Sequence, residues 1–166
     1  YDAVVFHNTT GSVLNETQKS AFREYVETGG GYVGIHAGAD THKGWQWYDE
    51  ELVGATFVSH PSPQEAEINV TDRTHPSTMH LDARWVREEE WYDFNRNPRG
   101  STHVLATVDE RTYSGAGMDG QQGRDHPIAW CSNVGQGRSF YSGFGHKGAY
   151  YEEADFLEHL KGGLMW

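Results

Sequence analysis

The chain has 166 residues, the size of one ordinary domain, and a length at which a hydrophobic core alone can support folding. Thirteen lysines and arginines stand against 24 aspartates and glutamates, and the net charge of −11 argues against nucleic acids and anionic membrane surfaces as partners. One cysteine excludes an internal disulfide and a cysteine-rich zinc site, whereas ten histidines make histidine chemistry the first place to look for function.

The first part of the chain predicts a strand, a helix and a second strand. Residues 2–6 predict a buried strand, because residues 3–6 are a continuous apolar run. Asn15, with Gln18 three residues later, has the spacing of a capping box, and the apolar stripe that follows stops at the glycines 29–31. Residues 32–35 are again a short apolar strand. Such a unit implies two parallel strands joined by a right-handed crossover.

The remainder predicts a short helix, further strands and a C-terminal helix. The helix is expected at residues 47–53, the strands at 66–70, 103–108, 127–131 and 139–144, and the amphipathic C-terminal helix at 153–160, with Phe156, Leu157 and Leu160 inward. Residues 71–101 predict an irregular excursion, and the glycine-rich residues 114–124 predict a mobile surface loop. The pattern favours a three-layer α/β domain with an inserted antiparallel portion.

Two histidines follow apolar strands and have small residues beside them. His36 comes directly after the second strand, and His146 follows the last one. Because ligand crevices in open α/β sheets lie at the carboxyl ends of parallel strands, both rings are expected in one crevice. The turn at His36 resembles a nucleophile elbow with imidazole in the place of the nucleophile. The pair could act as general acid and base or as two metal ligands, and a strand-end histidine bonded to a loop is the structural alternative.

Three weaker candidates are two histidines and an aspartate. His60 precedes a proline that holds it extended, so it is a third candidate ligand, although a plain loop histidine fits as well. His126 opens a strand after Asp125, and a catalytic role competes with a structural one in which Asp125 orients the ring. Asp40 is close to His36 in sequence and could orient its imidazole.

Glu90 ends an acidic run and is followed at once by Trp91 and Tyr92. An acid beside aromatic rings can have its pKa raised by desolvation, which sets Glu90 apart from the acids before it. Aromatic residues with polar tips suit stacking against sugar rings, although they serve core packing equally well. The candidates for substrate binding are Trp45, Tyr48, Trp91 and Tyr92. Cys131 lies in an apolar strand and is expected to be a packed core thiol.

Several motifs together resemble the ThuA-like (trehalose utilisation) family. They are Gly-Gly-Tyr-Val-Gly-Ile-His-Ala at residues 30–37, Ser-His-Pro at 59–61, Glu-Trp-Tyr at 90–92, Asp-His-Pro-Ile at 125–128 and Gly-Phe-Gly-His at 143–146. The resemblance covers almost the whole chain. It implies the class I glutamine amidotransferase-like superfamily, with a flavodoxin-like three-layer sandwich and a mostly parallel central sheet.

The resemblance also implies roles for the histidines. His36 occupies the place of the amidotransferase cysteine and His146 that of its histidine, and glutamine hydrolysis is not expected because imidazole cannot form the thioester. The family is linked to carbohydrate catabolism, which implies cleavage of the glycosidic bond of oxidised (keto) sugars by hydrolysis or elimination. A divalent metal ion of unassigned identity would suit His36, His60 and His146 as ligands.

Members of this family usually begin with a further strand and helix before the segment that starts at Tyr1. The chain, residues 1–166, is therefore expected to be a single domain that lacks those elements, which a preceding segment of the same protein would supply. The alternative function is a non-catalytic carbohydrate-binding or interaction module within a larger secreted protein. A sugar is the expected partner, without nucleic acid or membrane, while homo-oligomerisation and an extracellular, periplasmic or cytoplasmic location stay open.

Overall fold

A computed structural model describes residues 1–115, 123 and 125–166, which form a mixed α/β fold around a seven-stranded sheet. The strands are β1 (Ala3–His7), β2 (Gly31–Ile35), β3 (Phe57–Ser59), β4 (Gln64–Val70), β5 (Arg84–Glu89), β6 (Asp93–Phe94), β7 (His103–Val108), β8 (Pro127–Val134) and β9 (Gly137–Ser142), and the helices are α1 (Glu16–Glu27) and α2 (Ala154–Met165). The large sheet has the order β1-β2-β9-β8-β7-β4-β5, and β3 pairs with β6 separately.

Strand direction divides the large sheet into two parts. Within the described strands, β1, β2 and β9 run parallel, whereas β9–β8, β8–β7, β7–β4 and β4–β5 are antiparallel pairs. The expectation of a mostly parallel sheet is therefore wrong, and the sheet is mixed. The reason is the connections: β8 and β9 are joined by a tight turn, which reverses the chain, whereas a parallel neighbour needs a long crossover such as α1.

Helix α1 begins at the capping box that the sequence predicts. The Asn15 side chain accepts a hydrogen bond from the Gln18 backbone N–H, and the Gln18 side chain accepts one from the Asn15 N–H. Phe22 and Val26 form its buried stripe, and the Phe22 ring stacks on Phe6 of β1 with centroids 5.3 Å apart. These contacts seat α1 on the parallel part of the sheet.

The two helices lie on opposite faces of the sheet. Successive residues of a strand face opposite sides, so Phe140 and Tyr141 of β9 mark the two faces. The Tyr141 face also carries Tyr32, which packs against Phe22 of α1, whereas Phe140 meets α2 at Gly163. A Cβ on Gly163 would lie 2.3 Å from the Phe140 ring, so a glycine is needed for this close approach.

Strand β5 lies within the segment where the sequence predicts an irregular excursion. Its alternation is inverted, because Val86 faces solvent while the charged residues Arg87 and Glu89 face inward. The periodicity of apolar residues therefore gives no strand signal here. The inward charged residues lie next to Glu90, which follows β5.

The C-terminal helix differs from its prediction in length and in one inward residue. Helix α2 is longer than predicted, and Leu157, expected inward, is an exposed residue, whereas Phe156 is buried. Residues 114–124, expected to form a mobile loop, lie mostly outside the described residues. Across the part of the chain that is described, no helix combines the length and apolar character that membrane crossing requires.

The core contains a neutral histidine whose protonation opposes folding. His159 on α2 is fully buried, its Nδ1–H donates to the Ser77 carbonyl at 3.0 Å, and its Nε2 accepts from the Ser142 hydroxyl at 3.1 Å. Burial lowers the pKa of His159 to about 3. The unfolded chain therefore binds a proton here that the folded chain does not bind below about pH 6.5.

We expect this histidine to make stability fall as pH drops from 7 to 5, by about 2 kcal/mol from this group alone. Urea unfolding at both pH values should show a smaller pH difference in His159→Gln than in the wild type. His80→Gln, which alters an exposed histidine, should retain the wild-type difference. An unchanged pH difference in His159→Gln would show that the buried ring does not titrate as described.

Candidate active site

His36 lies at the carboxyl end of β2 in a sharp turn. Its φ of 49° is in the left-handed region, which a non-glycine residue rarely adopts. The Tyr141 hydroxyl donates to the His36 carbonyl at 2.8 Å, and the ring nitrogen Nδ1 lies 3.0 Å from the Gly143 carbonyl. Because a carbonyl only accepts hydrogen bonds, the ring hydrogen is on Nδ1, and Nε2 presents a lone pair.

Glu90, just beyond β5, lies close to a ring nitrogen of each of two histidines. Its Oε2 lies 3.1 Å from Nε2 of His36 and 3.1 Å from Nδ1 of His146, and the three ligand atoms all lie within 4.8 Å of one another. Burial lowers the pKa of His36, opposed by its bonds to Gly143 and Glu90, which favours the neutral ring. A lone pair facing a carboxylate oxygen requires a positive species between them, either a proton or a metal ion.

The third histidine, His60, contacts the other oxygen of Glu90. Its Nδ1 lies 3.2 Å from Glu90 Oε1 and 3.0 Å from the Pro61 carbonyl. Because a carbonyl only accepts hydrogen bonds, the ring hydrogen is on Nδ1. Nε2 therefore carries the lone pair of this exposed side chain. His60 thus lies beside Glu90 at ion-pair distance while its Nδ1–H donates to the Pro61 carbonyl, whereas the sequence predicts His60 as a metal ligand.

The neighbouring carboxylate, Glu89, is fully buried and contacts backbone rather than side-chain nitrogens of the site. It accepts hydrogen bonds from the N–H groups of Gly145, at 2.7 Å, and His146, at 3.1 Å. The N–H of Glu90 also donates to it, at 3.0 Å. Burial raises the pKa of Glu89 to about 7, against the opposing effect of these N–H groups and of Arg87.

Two aromatic rings form one wall beside the histidines. The Tyr92 ring lies against His36, with centroids 4.0 Å apart, and Phe57 packs on Tyr92 at 4.1 Å. Burial raises the pKa of Tyr92, so its hydroxyl keeps its proton at neutral pH. The wall holds the His36 ring in place and presents the half-buried Phe57 beside His60.

The structure also brings to the site two residues at the end of β1 that sequence reasoning missed. Asn8 follows β1, donates to the Gly145 carbonyl at 2.9 Å and accepts from the Ala37 N–H at 3.4 Å. His7 Nε2 lies 2.6 Å from the Tyr151 hydroxyl. A signal was available, because both residues lie at the carboxyl end of a parallel strand next to β2.

Residues 1–166 match the family model for ThuA, described as trehalose utilisation. The chain belongs to the ThuA family. This membership implies a role in sugar metabolism. No curated protein matches the sequence.

Solved structures of ThuA-like proteins have the same fold. One from Bacteroides uniformis is 28% identical with a TM-score of 0.82, over 100% of this chain and 69% of that one. Another from Parabacteroides merdae is 25% identical with a TM-score of 0.81, over 100% and 70% of the two chains. A beta-galactosidase from Bacillus circulans is similar at 16% identity and a TM-score of 0.65, over 99% of this chain and 22% of that one, which shows the fold alone.

Within this ThuA fold, several predicted site residues lie elsewhere. Asp40 pairs with Lys43 at 2.5 Å and does not orient His36, which Gly143 and Glu90 hold instead. Sequence proximity misled here because the chain turns sharply after His36.

The predicted sugar-binding aromatics are mostly core residues. Tyr48 is buried and donates to the Gly38 carbonyl at 2.8 Å, and Trp91 is buried with its indole N–H bonded to the Gln64 carbonyl. Trp45 packs on Tyr48 with Lys19 of α1 over its ring. Of the four predicted aromatics, Tyr92 is the one that the structure brings to His36.

His126, predicted as catalytic, lies in a separate buried cluster. Its Nε2–H donates to the Tyr92 carbonyl at 2.8 Å, and its Nδ1 lies 2.9 Å from Glu110 Oε1. Asp125 pairs with Arg99 and not with this ring. His126 is fully buried, so it supports the Tyr92 backbone rather than meeting a substrate.

The turn at Asn8 gives a prediction about the framework of this site. Asn8 has a φ of 51°, where alanine is strained by roughly 1–2 kcal/mol and glycine is not. Asn8→Ala should therefore lose about 2 kcal/mol of unfolding free energy, since two hydrogen bonds go as well. Asn8→Gly, which loses the bonds without the strain, should lose about 1 kcal/mol in urea unfolding. Equal losses would contradict the strain.

Proposed function

We propose that this ThuA-family chain is an enzyme that cleaves the glycosidic bond of oxidised (keto) sugars with a divalent metal ion. Its ligands would be His36, Glu90 and His146. The observation that carries the proposal is the convergence of two histidine nitrogens on one carboxylate oxygen at the carboxyl ends of β2 and β9. Two histidines and a carboxylate that converge in this way favour a catalytic site over a binding site.

The residues fit a transition metal on three counts. Two nitrogens and one carboxylate oxygen are the donor set of many catalytic zinc and iron sites with open positions. Two ligands bound to one such ion at about 2.0–2.1 Å lie roughly 3 Å apart, and the two nitrogen-to-oxygen separations here are 3.1 Å. The third point is the hydrogen bond from the His36 Nδ1–H to the Gly143 carbonyl. It fixes the ring tautomer in the way that is usual for metal-binding histidines.

An ion bound by these residues would supply a Lewis acid for polarising a substrate carbonyl. The chain's own part is to hold the substrate and move the proton. His36 is nearly inaccessible, with 2% of its side chain exposed, so it cannot reach a sugar carbon. His60, with 37% of its side chain exposed and its Nδ1–H donated to the Pro61 carbonyl, has the available base at Nε2.

The proposed step is an elimination. Nε2 of His60 takes the proton from the carbon next to the keto group, and the electron pair of that C–H bond forms a carbon–carbon double bond. The glycosidic carbon–oxygen bond at the adjacent carbon breaks, and its electrons leave with the oxygen, which takes a proton from solvent. Phe57, beside His60, offers an apolar face for the sugar ring.

The main test measures turnover of a 3-keto-disaccharide. The wild type should release the sugar product, a chelator should abolish release, and added Mn²⁺ or Zn²⁺ should restore it. His36→Ala and His146→Ala should each lose at least 100-fold in kcat/KM, while His80→Ala should not change it. Sugar binding without turnover would favour the carbohydrate-binding module, and wild-type turnover in both histidine variants would overturn the site.

The role of His60 gives a separate prediction. His60→Ala at saturating metal should lower kcat by about 100-fold or more, because a positioned base contributes that much to proton transfer. Exchange of the substrate proton next to the keto group with deuterated water should slow in parallel, as followed by NMR. If exchange persists at the wild-type rate in His60→Ala, another residue is the base.

A further inference from the structure

We propose that Glu89 is a positioning residue that fixes two of the three ligands, Glu90 and His146, relative to each other by binding their backbone N–H groups. The expected effect on metal affinity rests on the proposed function. The link that one carboxylate makes between the loops of Glu90 and His146 is independent of that function.

The contacts of the Glu89 carboxylate span both loops of the site. Oε2 accepts from the Gly145 N–H, and Oε1 accepts from the N–H groups of His146 and Glu90. Three main-chain donors on two oxygens leave little rotational freedom for the carboxylate or for the loop that carries His146. Each of these bonds has an ionised acceptor when Glu89 is charged, which makes it stronger than a neutral bond.

The sheet order explains why such a link is needed. Glu90 follows β5 at one edge of the sheet, whereas His146 follows β9, and β8, β7 and β4 lie between these strands. No ladder of hydrogen bonds runs directly from β5 to β9 in this sheet order. Glu89 supplies a direct connection between the two exits, just where two ligand atoms must lie about 3 Å apart.

The surroundings of Glu89 favour a positioning role over a stabilising one. Arg87 is also buried, lies 3.4 Å from Glu89 and 3.3 Å from Glu153, and is surrounded by aromatic rings. The rings within 5.4 Å of its guanidinium carbon are Trp85, Phe144, Tyr150 and Phe156. A buried ion pair commonly stabilises a fold no more than apolar packing would, because both charges lose their hydration.

A carboxylate, and not an amide, is required by the donor count. Glutamine has one carbonyl oxygen, and its NH₂ group would face a main-chain N–H where Glu89 has its second oxygen. Glu89→Gln must therefore break at least one of the three bonds while keeping nearly the same volume. This makes it a sharp probe of the link.

The test compares wild type, Glu89→Gln and the control Glu65→Gln, which changes an exposed glutamate on β4. Amide hydrogen exchange at Gly145, at His146 or at both should accelerate at least 10-fold in Glu89→Gln and stay unchanged in the control. Titration with Mn²⁺ and Zn²⁺ by calorimetry should show 10- to 100-fold weaker binding in Glu89→Gln alone, the range for residues that orient metal ligands.

The outcomes separate this proposal from the proposed function. Unchanged exchange at both amides together with unchanged metal affinity would overturn the positioning role while leaving the metal site intact. Faster exchange in Glu89→Gln, with no metal binding to the wild type, would support the link and overturn the metal site. If Glu89→Gln does not fold, Glu89→Asp retains both oxygens on a shorter side chain, and wild-type exchange rates in it would overturn the proposal.

Discussion

The arrangement of the site depends on the end of the edge strand β5 meeting the ends of the parallel strands β2 and β9. Glu90 is the first residue after β5, and its Oε2 lies 3.1 Å from both His36, which follows β2, and His146, which follows β9. This placement buries charge, since Arg87 and Glu89 point into the protein instead of toward solvent. The aromatic residues around them, Phe144 and Phe156 among others, provide the apolar burial that offsets it.

The three histidines around Glu90 differ in accessibility. His36 is bound at both ring nitrogens and at its carbonyl, so its strained turn is determined by its partners. His146 and His60 have 37% of their side chains exposed, and they form the accessible side of Glu90. The buried histidine is thus held by several partners, whereas the two exposed histidines face solvent.

Local signals predicted the parts of the fold that are determined locally. The capping box of α1 and the strand–helix–strand unit both depend on residues close together in the sequence. The direction of the other strands depends on connections that no local pattern reveals. The prediction of a mostly parallel sheet was therefore wrong. β5 was missed because its inward residues are charged, which reverses the pattern that identifies strands.

The same division holds for the site. The meeting of His36 and His146 could be predicted because both follow strands that turn out to be parallel neighbours. Asp40 and His126 were chosen for their sequence neighbours, and side-chain partners are set by the tertiary fold instead. Glu89 was indistinguishable from the acids around it, because its role comes from backbone N–H groups 56 and 57 residues away.

The turn at His36 differs from a nucleophile elbow in the partner of its backbone N–H. In a nucleophile elbow, the N–H after the nucleophile faces the developing oxyanion of acyl transfer. Here that N–H belongs to Ala37 and is directed to the Asn8 side chain, while the His36 ring points into Glu90. The Ala37 N–H is therefore bonded within the protein, and the residue at the turn is a histidine where an elbow has its nucleophile. The turn holds Nε2 of that histidine at a fixed point. The geometry of the elbow is kept, and the residue it presents is an imidazole whose Nε2 lies 3.1 Å from the Glu90 carboxylate.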